Sequence, residues 1–246
     1  MIDFLMISTR SKKNGLIEIY PKFIIKKSSD LMIRGGDFYA IWIEERGLWS
    51  TDEQDALQLI DRELDRYAEE NRNRFDSNVK VLHMWDSESG MIDSWHKYCQ
   101  KQMRDSFHML DEKLIFSNTP TNKKDYASKR LGYPLEAGET PAYDKLMSTL
   151  YEEEERRKIE WAIGSIISGE SKKLQKFMVL YGAAGTGKST VLNIIQQLFE
   201  GYYSVFDAKA LGSSSNAFAL EAFKDNPLVA IQHDGDLSKI EDNTRL

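Results

Sequence analysis

The stretch that decides the fold is Gly-Ala-Ala-Gly-Thr-Gly-Lys-Ser at residues 182–189, which matches G-x-x-x-x-G-K-[ST] at every fixed position. Small residues let backbone amides turn inward and surround a polyphosphate. A helix that begins at Lys188 would direct its positive end at the same anion. Lys188 would place a charge on the β- and γ-phosphates, and the Ser189 hydroxyl would complete the coordination of Mg²⁺. The stretch therefore predicts a loop that binds a polyphosphate with Mg²⁺.

The sequence on both sides of this loop favours an α/β unit over an ordinary flexible turn. Phe177–Tyr181 is apolar and predicts a strand that enters the loop. The residues after the loop have the apolar spacing of an amphipathic helix. That stripe comprises Val191, Leu192, Ile194, Ile195 and Leu198. Because Lys-Ser falls where this helix must begin, we interpret the glycines as part of a phosphate loop.

A second strand followed by acids supplies the other half of such a site. Leu228–Ile231 predicts a buried strand, and Asp234 and Asp236 follow it. One carboxylate would hold Mg²⁺ through water, and the other would polarise the attacking water. Which aspartate has which role stays open at this point. The alternative is a surface turn, in which Asp and Gly are common.

The rest of the chain predicts a mixed α+β domain at 1–142, followed by helices and the nucleotide-binding core at 143–246. The boundary is placed in a stretch rich in Pro and Gly that ends at Pro141. The predicted strands are Leu16–Tyr20, Phe23–Ile25, Phe38–Ile43, Leu114–Phe116 and Tyr203–Phe206. The predicted helices run from about Glu53 to Phe75, from Gly90 past Met103, within residues 143–169, and over Ala217–Lys224.

Composition restricts the class of protein. The 246 residues carry 33 Lys+Arg and 39 Asp+Glu, a formal net charge of −6, which argues against a protein that coats nucleic acid without selectivity. No apolar run approaches the roughly 20 residues of a membrane span. One cysteine excludes an intramolecular disulfide framework and favours a reducing cytoplasm.

The residues around both motifs resemble the superfamily 3 helicase domain of phage and viral primase-helicases. The resemblance is carried by residues 159–164, 177–190 and 227–237. Upstream, residues 38–49 and 113–118 are similar to the accessory N-terminal domain that precedes this helicase domain.

This resemblance implies an AAA+-like, three-layer α/β ATPase core. It implies a homo-oligomeric ring, usually a hexamer, that tracks along single-stranded DNA with other replication proteins and holds ATP between subunits. The implied nucleotide loop comprises Gly182, Ala183, Ala184, Gly185, Thr186, Gly187, Lys188, Ser189 and Thr190. Lys188, Asp234 and Asp236 would be catalytic, and Ser189 with the two aspartates would lie at the metal.

The sequence departs from that family in two ways. Gly235 separates the two acids, whereas the family commonly has adjacent acids or a glutamate. The family's polar sensor, arginine finger and DNA-contacting hairpin have no counterpart up to residue 246, so we expect an incomplete nucleotide-binding domain. Without an arginine finger, hydrolysis would lose a factor on the order of 10³–10⁵. Two alternatives therefore stay open: an ATP-binding assembly module without autonomous motor activity and, ranked last, a P-loop kinase of small molecules.

Two further groups of residues have both a functional and a structural interpretation. His96 and Cys99, with His83 and His108, suggest zinc, but their spacing supplies at most two close ligands, so we favour ordinary helix positions. The tryptophans could stack on nucleic-acid bases, but they alternate with aliphatic residues, which favours core packing. These are Trp42, Trp49, Trp85 and Trp95.

Overall fold

The computed structural model describes residues 2–24, 27–33, 39–75, 78–86, 90–101, 108–208, 220–224 and 227–233. Its architecture is mixed α/β, as predicted. The chain divides into two compact units, the first of residues 1–110 and 120–128 and the second of residues 111–119 and 129–246. Each unit has an apolar core of its own.

The residues described in the first unit form two small sheets. In one, β1 (Leu5–Ser11) pairs antiparallel with β2 (Ile17–Phe23), which pairs in parallel with β6 (Val79–Val81). In the other, β3 (Leu31–Ile33), β4 (Tyr39–Ile43) and β5 (Leu48–Ser50) form an antiparallel meander. The sequence predicted two strands separated by Pro21, but β2 runs through this proline. Because β6 pairs only with residues 17–19, Pro21 has a partner strand on one side only, where proline is tolerated.

Two helices cover these sheets. The first, α1 (Glu53–Glu70), begins where predicted, with the Asp52 side chain accepting the Gln54 N–H. It ends before the predicted Phe75, because Asn71 turns back to the Tyr67 carbonyl and a single 3₁₀ turn follows. The second, α2 (Met91–Lys101), also begins where predicted, and Met103 lies outside the described residues.

Aromatic packing dominates the first core. Trp95 is fully buried among the rings of Phe4, Phe23 and Tyr39. Trp42 and Trp49 are buried against each other, so the packing interpretation is confirmed for these three tryptophans. Trp85 differs, since 73% of its surface is exposed beside the His83 ring.

The described part of the second unit combines helices with one parallel strand pair. The helices are α3 (Pro141–Leu150), α4 (Glu153–Ile167), the single turn α5 (Ser171–Leu174) and α6 (Lys188–Leu198). The strands β7 (Tyr203–Val205) and β8 (Val229–Ile231) pair in parallel, as expected for an α/β unit. Of the helix predicted at 217–224, the described part contains only a 3₁₀ turn at Glu221–Phe223.

Two predicted strands are wrong. Leu114–Phe116 is irregular, although the Ile115 carbonyl accepts the Leu131 N–H and Phe116 is buried in the second core. Phe177–Tyr181 forms no strand either, and Phe177 and Tyr181 are 86% and 98% exposed. A strand-forming composition is not enough, because a strand also needs a neighbour with which to exchange backbone hydrogen bonds.

The division into units also differs from the boundary placed between residues 142 and 143. Phe116 and Leu131 are buried in the second core together with residues of α3 and α6. The segment at 120–128 returns to the first unit, where Thr121 donates a hydrogen bond to the Gly47 carbonyl. The chain therefore crosses between the units three times instead of once.

The single thiol is predicted to be unreactive in the folded protein. Burial, together with the negative charge of Glu53, raises the pKa of Cys99 to about 12. Since the thiolate is the reactive form, only about one molecule in ten thousand carries it at pH 8. We expect native protein to react with a disulfide reagent only after urea is added. As a control, Ser94→Cys on the exposed face of α2 should add one fast-reacting thiol; rapid modification of the unmutated native protein would contradict the buried position.

Candidate phosphate-binding site

Helix α6 begins with Lys188 and Ser189 of the loop motif and is anchored along its length. Val191 and Ile195 lie four residues apart and are buried in the second core, which also contains Phe199 and the β8 residue Ile231. At the other end of the helix, the Tyr133 hydroxyl donates a hydrogen bond to the Leu198 carbonyl. These contacts hold α6 in place, so its first turn presents the loop in a defined position.

The turn into α6 requires glycine for two reasons. Gly187, at the N-cap, has φ +81°, a conformation that other L-residues rarely adopt. A Cβ atom at this position would also lie 2.8 and 2.9 Å from the two terminal carbons of Leu150, at the end of α3. Gly185 has the same φ, but no atom lies within 4 Å of the position its Cβ would take.

Hydrogen bonds inside the loop hold its two sides together. The Thr186 hydroxyl donates to the Ala183 carbonyl at 3.0 Å. The Lys188 ammonium donates to the carbonyls of Gly182 at 2.9 Å and Ala183 at 2.6 Å, and lies 3.3 Å from the Thr186 hydroxyl. The positive charge therefore lies across the loop, where a bound anion would meet it.

The loop and the first turn of α6 also contain unused backbone donors. The first backbone hydrogen bond at this end of α6 runs from the Val191 N–H to the Gly187 carbonyl, at 3.1 Å. Within the described residues, the amides of residues 185–190 have no protein acceptor, as is usual for the first turn of a helix. The side chains of Ser189 and Thr190 are exposed beside them. Free amides, an ammonium group and a helix N-terminus at one place suit the binding of phosphate.

The acidic half of the predicted site lies outside the described residues, which end at His233 before Asp234 and Asp236. His233 Nε2 lies 3.2 Å from Gln196 Nε2 on α6, so the residue before Asp234 is held beside this helix. Gln196 comes two turns after Lys188, about 12 Å along the helix at 1.5 Å per residue. The structure thus describes all nine residues of the loop, 182–190. Of the segment with Asp234 and Asp236, it describes only the strand β8 that precedes them and the residues up to His233.

The histidines considered as zinc ligands have other contacts. His96 Nε2 lies 2.5 Å from a carboxylate oxygen of Glu53, and His83 Nε2 lies 2.7 Å from a carboxylate oxygen of Asp65. The His108 ring stacks on Tyr126, with 3.9 Å between ring centroids. Cys99 is buried. In the part of the chain that the structure describes, no three His, Cys, Asp or Glu side chains are grouped as a metal site would require.

Two residues of the site went unrecognised in the sequence. Leu150 lies far upstream of Gly187, and no local pattern connects an aliphatic residue at the end of one helix with a glycine at the start of another. Gln196 belongs to no motif in the sequence. Its contact with His233 depends on how α6 lies against β8, which periodicity does not reveal.

We predict that Gly187→Ala damages the site more than Gly185→Ala does. Both substitutions place a side chain at φ +81°, which costs roughly 1–2 kcal/mol. Only the change at residue 187 also forces a methyl group against Leu150. Urea unfolding followed by circular dichroism should therefore show the larger loss of stability for Gly187→Ala. When Gly187→Ala is introduced into Leu150→Ala protein, the additional loss of stability should fall to that caused by Gly185→Ala. Equal losses in the two single glycine variants would show that the close approach is unimportant.

Comparison of the chain with protein-family models, with curated proteins and with solved structures found no match. The functional assignment therefore rests on the residues of the chain itself. Across the described residues, no helix has both the length and the apolar character needed to cross a membrane.

Proposed function

We propose that the loop at residues 182–190 binds ATP with Mg²⁺, and that the chain belongs to an ATP-driven DNA helicase of phage-type replication. The observation that carries the ATP-binding part is the position of Lys188, whose ammonium contacts the carbonyls of a loop in which the amides of residues 185–190 have no acceptor among the described residues. An AAA+-like P-loop domain is the proposed architecture of the second unit.

Each group in the loop has a proposed role. The amides of residues 185–190 would donate hydrogen bonds to the phosphate oxygens, and the helix dipole of α6 would favour the same negative charge. Phosphate oxygens would replace the carbonyls that now accept from Lys188, because a phosphate is a stronger acceptor for an ammonium group. This exchange moves the lysine by a short distance within a loop whose backbone is already in place.

The exposed Ser189 hydroxyl fits a magnesium site, because Mg²⁺ prefers oxygen ligands and retains several of its waters. When bound, Mg²⁺ would neutralise charge on the β- and γ-phosphates. Asp234 and Asp236 would hold the ion through water and polarise the attacking water. Single-stranded DNA, other replication proteins and a homo-hexameric ring are the proposed partners, and the sequence resemblance alone supports them.

A second candidate function is an ATP-binding module that does not act as a motor by itself. The exposed Phe177–Tyr181 segment favours it, since no strand of the described chain pairs with the residues that lead into the loop. A motor must transmit the state of the nucleotide to other elements, and an unpaired segment transmits little. Binding would survive in such a module, because the loop contacts come from α3 and α6.

We expect Lys188→Ala to weaken ATP binding about 10- to 150-fold, the range that corresponds to losing one charge-assisted hydrogen bond of 1.5–3 kcal/mol. Titration of a fluorescent ATP analogue in the presence of Mg²⁺ measures this change. Lys176→Ala is the matched control, because it removes a nearby exposed lysine outside the loop. Equal affinities of the Lys188→Ala variant and the unmutated protein would refute the proposed site.

Hydrolysis separates the two candidate functions. For the helicase, we expect single-stranded DNA to increase ATP turnover by the chain, and Lys188→Ala to abolish that turnover. The measurement is phosphate release with and without DNA, at saturating ATP and Mg²⁺. ATP binding that depends on Lys188 but is accompanied by no turnover with DNA would instead select the binding module.

A further inference from the structure

The sheet formed by β1, β2 and β6 has one face on the core and one outer face. Side chains alternate between the two faces along each strand. On the core face, apolar residues pack against α1 and α2. On the outer face, the strand register places Glu18 between Arg10 of β1 and Lys80 of β6. Tyr20 and Lys22 follow Glu18 along β2 on the same face.

This outer face is positively charged, although the chain as a whole has a net charge of −6. Its four cations, Arg10, Lys12, Lys22 and Lys80, are all exposed. Lys12 lies in the hairpin after β1, where its ammonium is 3.4 Å from a Glu18 carboxylate oxygen. Glu18 is the only acid in the three strands and this hairpin, so four positive charges meet one negative charge. Lys22 and Lys80 form no ion pair with a residue that the structure describes, which leaves both for an anionic partner.

A stacking group lies among these charges. The Arg10 guanidinium lies over the Tyr20 ring, 5.3 Å from its centroid, and Arg10 Nε donates a hydrogen bond to the Glu18 carboxylate at 2.5 Å. About half of the Arg10 side chain, 51%, remains exposed. Aromatic rings and guanidinium planes are the groups on which proteins stack unpaired nucleic-acid bases. Such groups in a row of cations are typical of surfaces that bind single strands.

The extent and composition of the face favour a nucleic-acid strand over a membrane. Lys22 pairs across the sheet with Met6, which lies six residues from Lys12, so the two lysines are about 20 Å apart along the strands. The shortest sites on single-strand-binding proteins cover about four nucleotides, one for each cation here. Met6 is the only exposed large apolar side chain of the three strands, whereas insertion into a lipid surface requires several.

We propose that the outer face of the β1–β2–β6 sheet binds single-stranded nucleic acid, with phosphates on Lys12, Lys22 and Lys80 and a base stacked on the Arg10–Tyr20 pair. The site lies in the first unit and uses no residue of the loop at 182–190, so binding requires no ATP. It also differs from the DNA contact that the sequence resemblance implies, which belongs to a hairpin without a counterpart in this chain.

Charge removal tests the phosphate contacts. On single strands, the logarithm of the binding constant falls with the logarithm of the salt concentration by about 0.7 for each phosphate contacted. Lys22→Gln/Lys80→Gln should therefore make this slope shallower by about 1.4 and weaken binding about 25-fold at 0.1 M salt. Fluorescence anisotropy of a labelled oligothymidylate, measured between 50 and 200 mM salt, gives both quantities.

The matched control is Lys97→Gln/Lys101→Gln, which removes two exposed lysines from α2, on the core side of the same sheet. This variant and Lys188→Ala should bind the strand within about twofold of the unmutated protein. Equal losses in the two lysine pairs, or loss of binding in Lys188→Ala, would overturn the proposed position. Tighter binding of oligothymidylate or of oligouridylate identifies the natural strand as DNA or RNA; binding of neither would overturn the proposal.

Arg10→Lys tests the stacked base. The substitution keeps the positive charge beside Glu18 but removes the guanidinium plane. We expect oligothymidylate to bind about 5- to 150-fold more weakly, as for the loss of one stacked base, with an unchanged salt slope. An abasic oligonucleotide of the same length should bind both proteins alike. If Arg10→Lys has no effect on oligothymidylate, or if the unmutated protein binds the abasic strand equally well, the face attracts polyanions in general and the proposal is wrong.

Discussion

The close approach between Leu150 and Gly187 is the contact on which the turn into α6, and with it the loop at residues 182–189, depends. It brings the end of α3 against the first residue of the turn into α6, and it leaves no space for a side chain there. Met147, one turn earlier in α3, is fully buried in the second core, so this end of α3 is held in place. The shape of the loop is thus set in part by a helix that precedes it by several elements.

The buried hydroxyl group of Tyr202 connects two earlier segments, 111–119 and 129–133, to the second unit. Tyr202, which follows α6, accepts a hydrogen bond from the Ile115 N–H at 3.3 Å and donates one to the Lys129 carbonyl at 2.7 Å. Burial, together with the charge of Asp111, raises the pKa of Tyr202 to about 12, so the hydroxyl remains protonated and able to donate. Each hydrogen bond contributes about 1 kcal/mol. The segments at 111–119 and 129–133 therefore fold with the second unit, although the chain between them belongs to the first.

Local patterns predicted the beginnings of α1, α2 and α6, because their signals lie within a few residues. The Asp52 cap, the stripe of α1 and the glycines of the loop are each set by neighbours in sequence. The strands were predicted less well. Residues 5–11 and 79–81 form strands because β2 lies between them, and Phe177–Tyr181 forms none, despite a more strand-like composition, because it lacks such a neighbour. Pairing is a property of two segments, so one segment alone does not determine it.

The difference between local signals and strand pairing also explains why the loop can be formed while the segment before it, Phe177–Tyr181, remains exposed and unpaired. The β7–β8 pair has three residues in each strand, and a sheet of that size is marginal by itself. Helix packing stabilises the site instead: burial of Val191 and Ile195 contributes about 1.5–3 kcal/mol each relative to exposure. Binding a phosphate requires only the loop and the first turn of α6, which this packing holds. Transmitting the state of a bound nucleotide would require the strand on the other side of the loop to be held as well. In the described chain, core contacts hold α6 and its first turn, whereas no strand pairs with the segment before the loop.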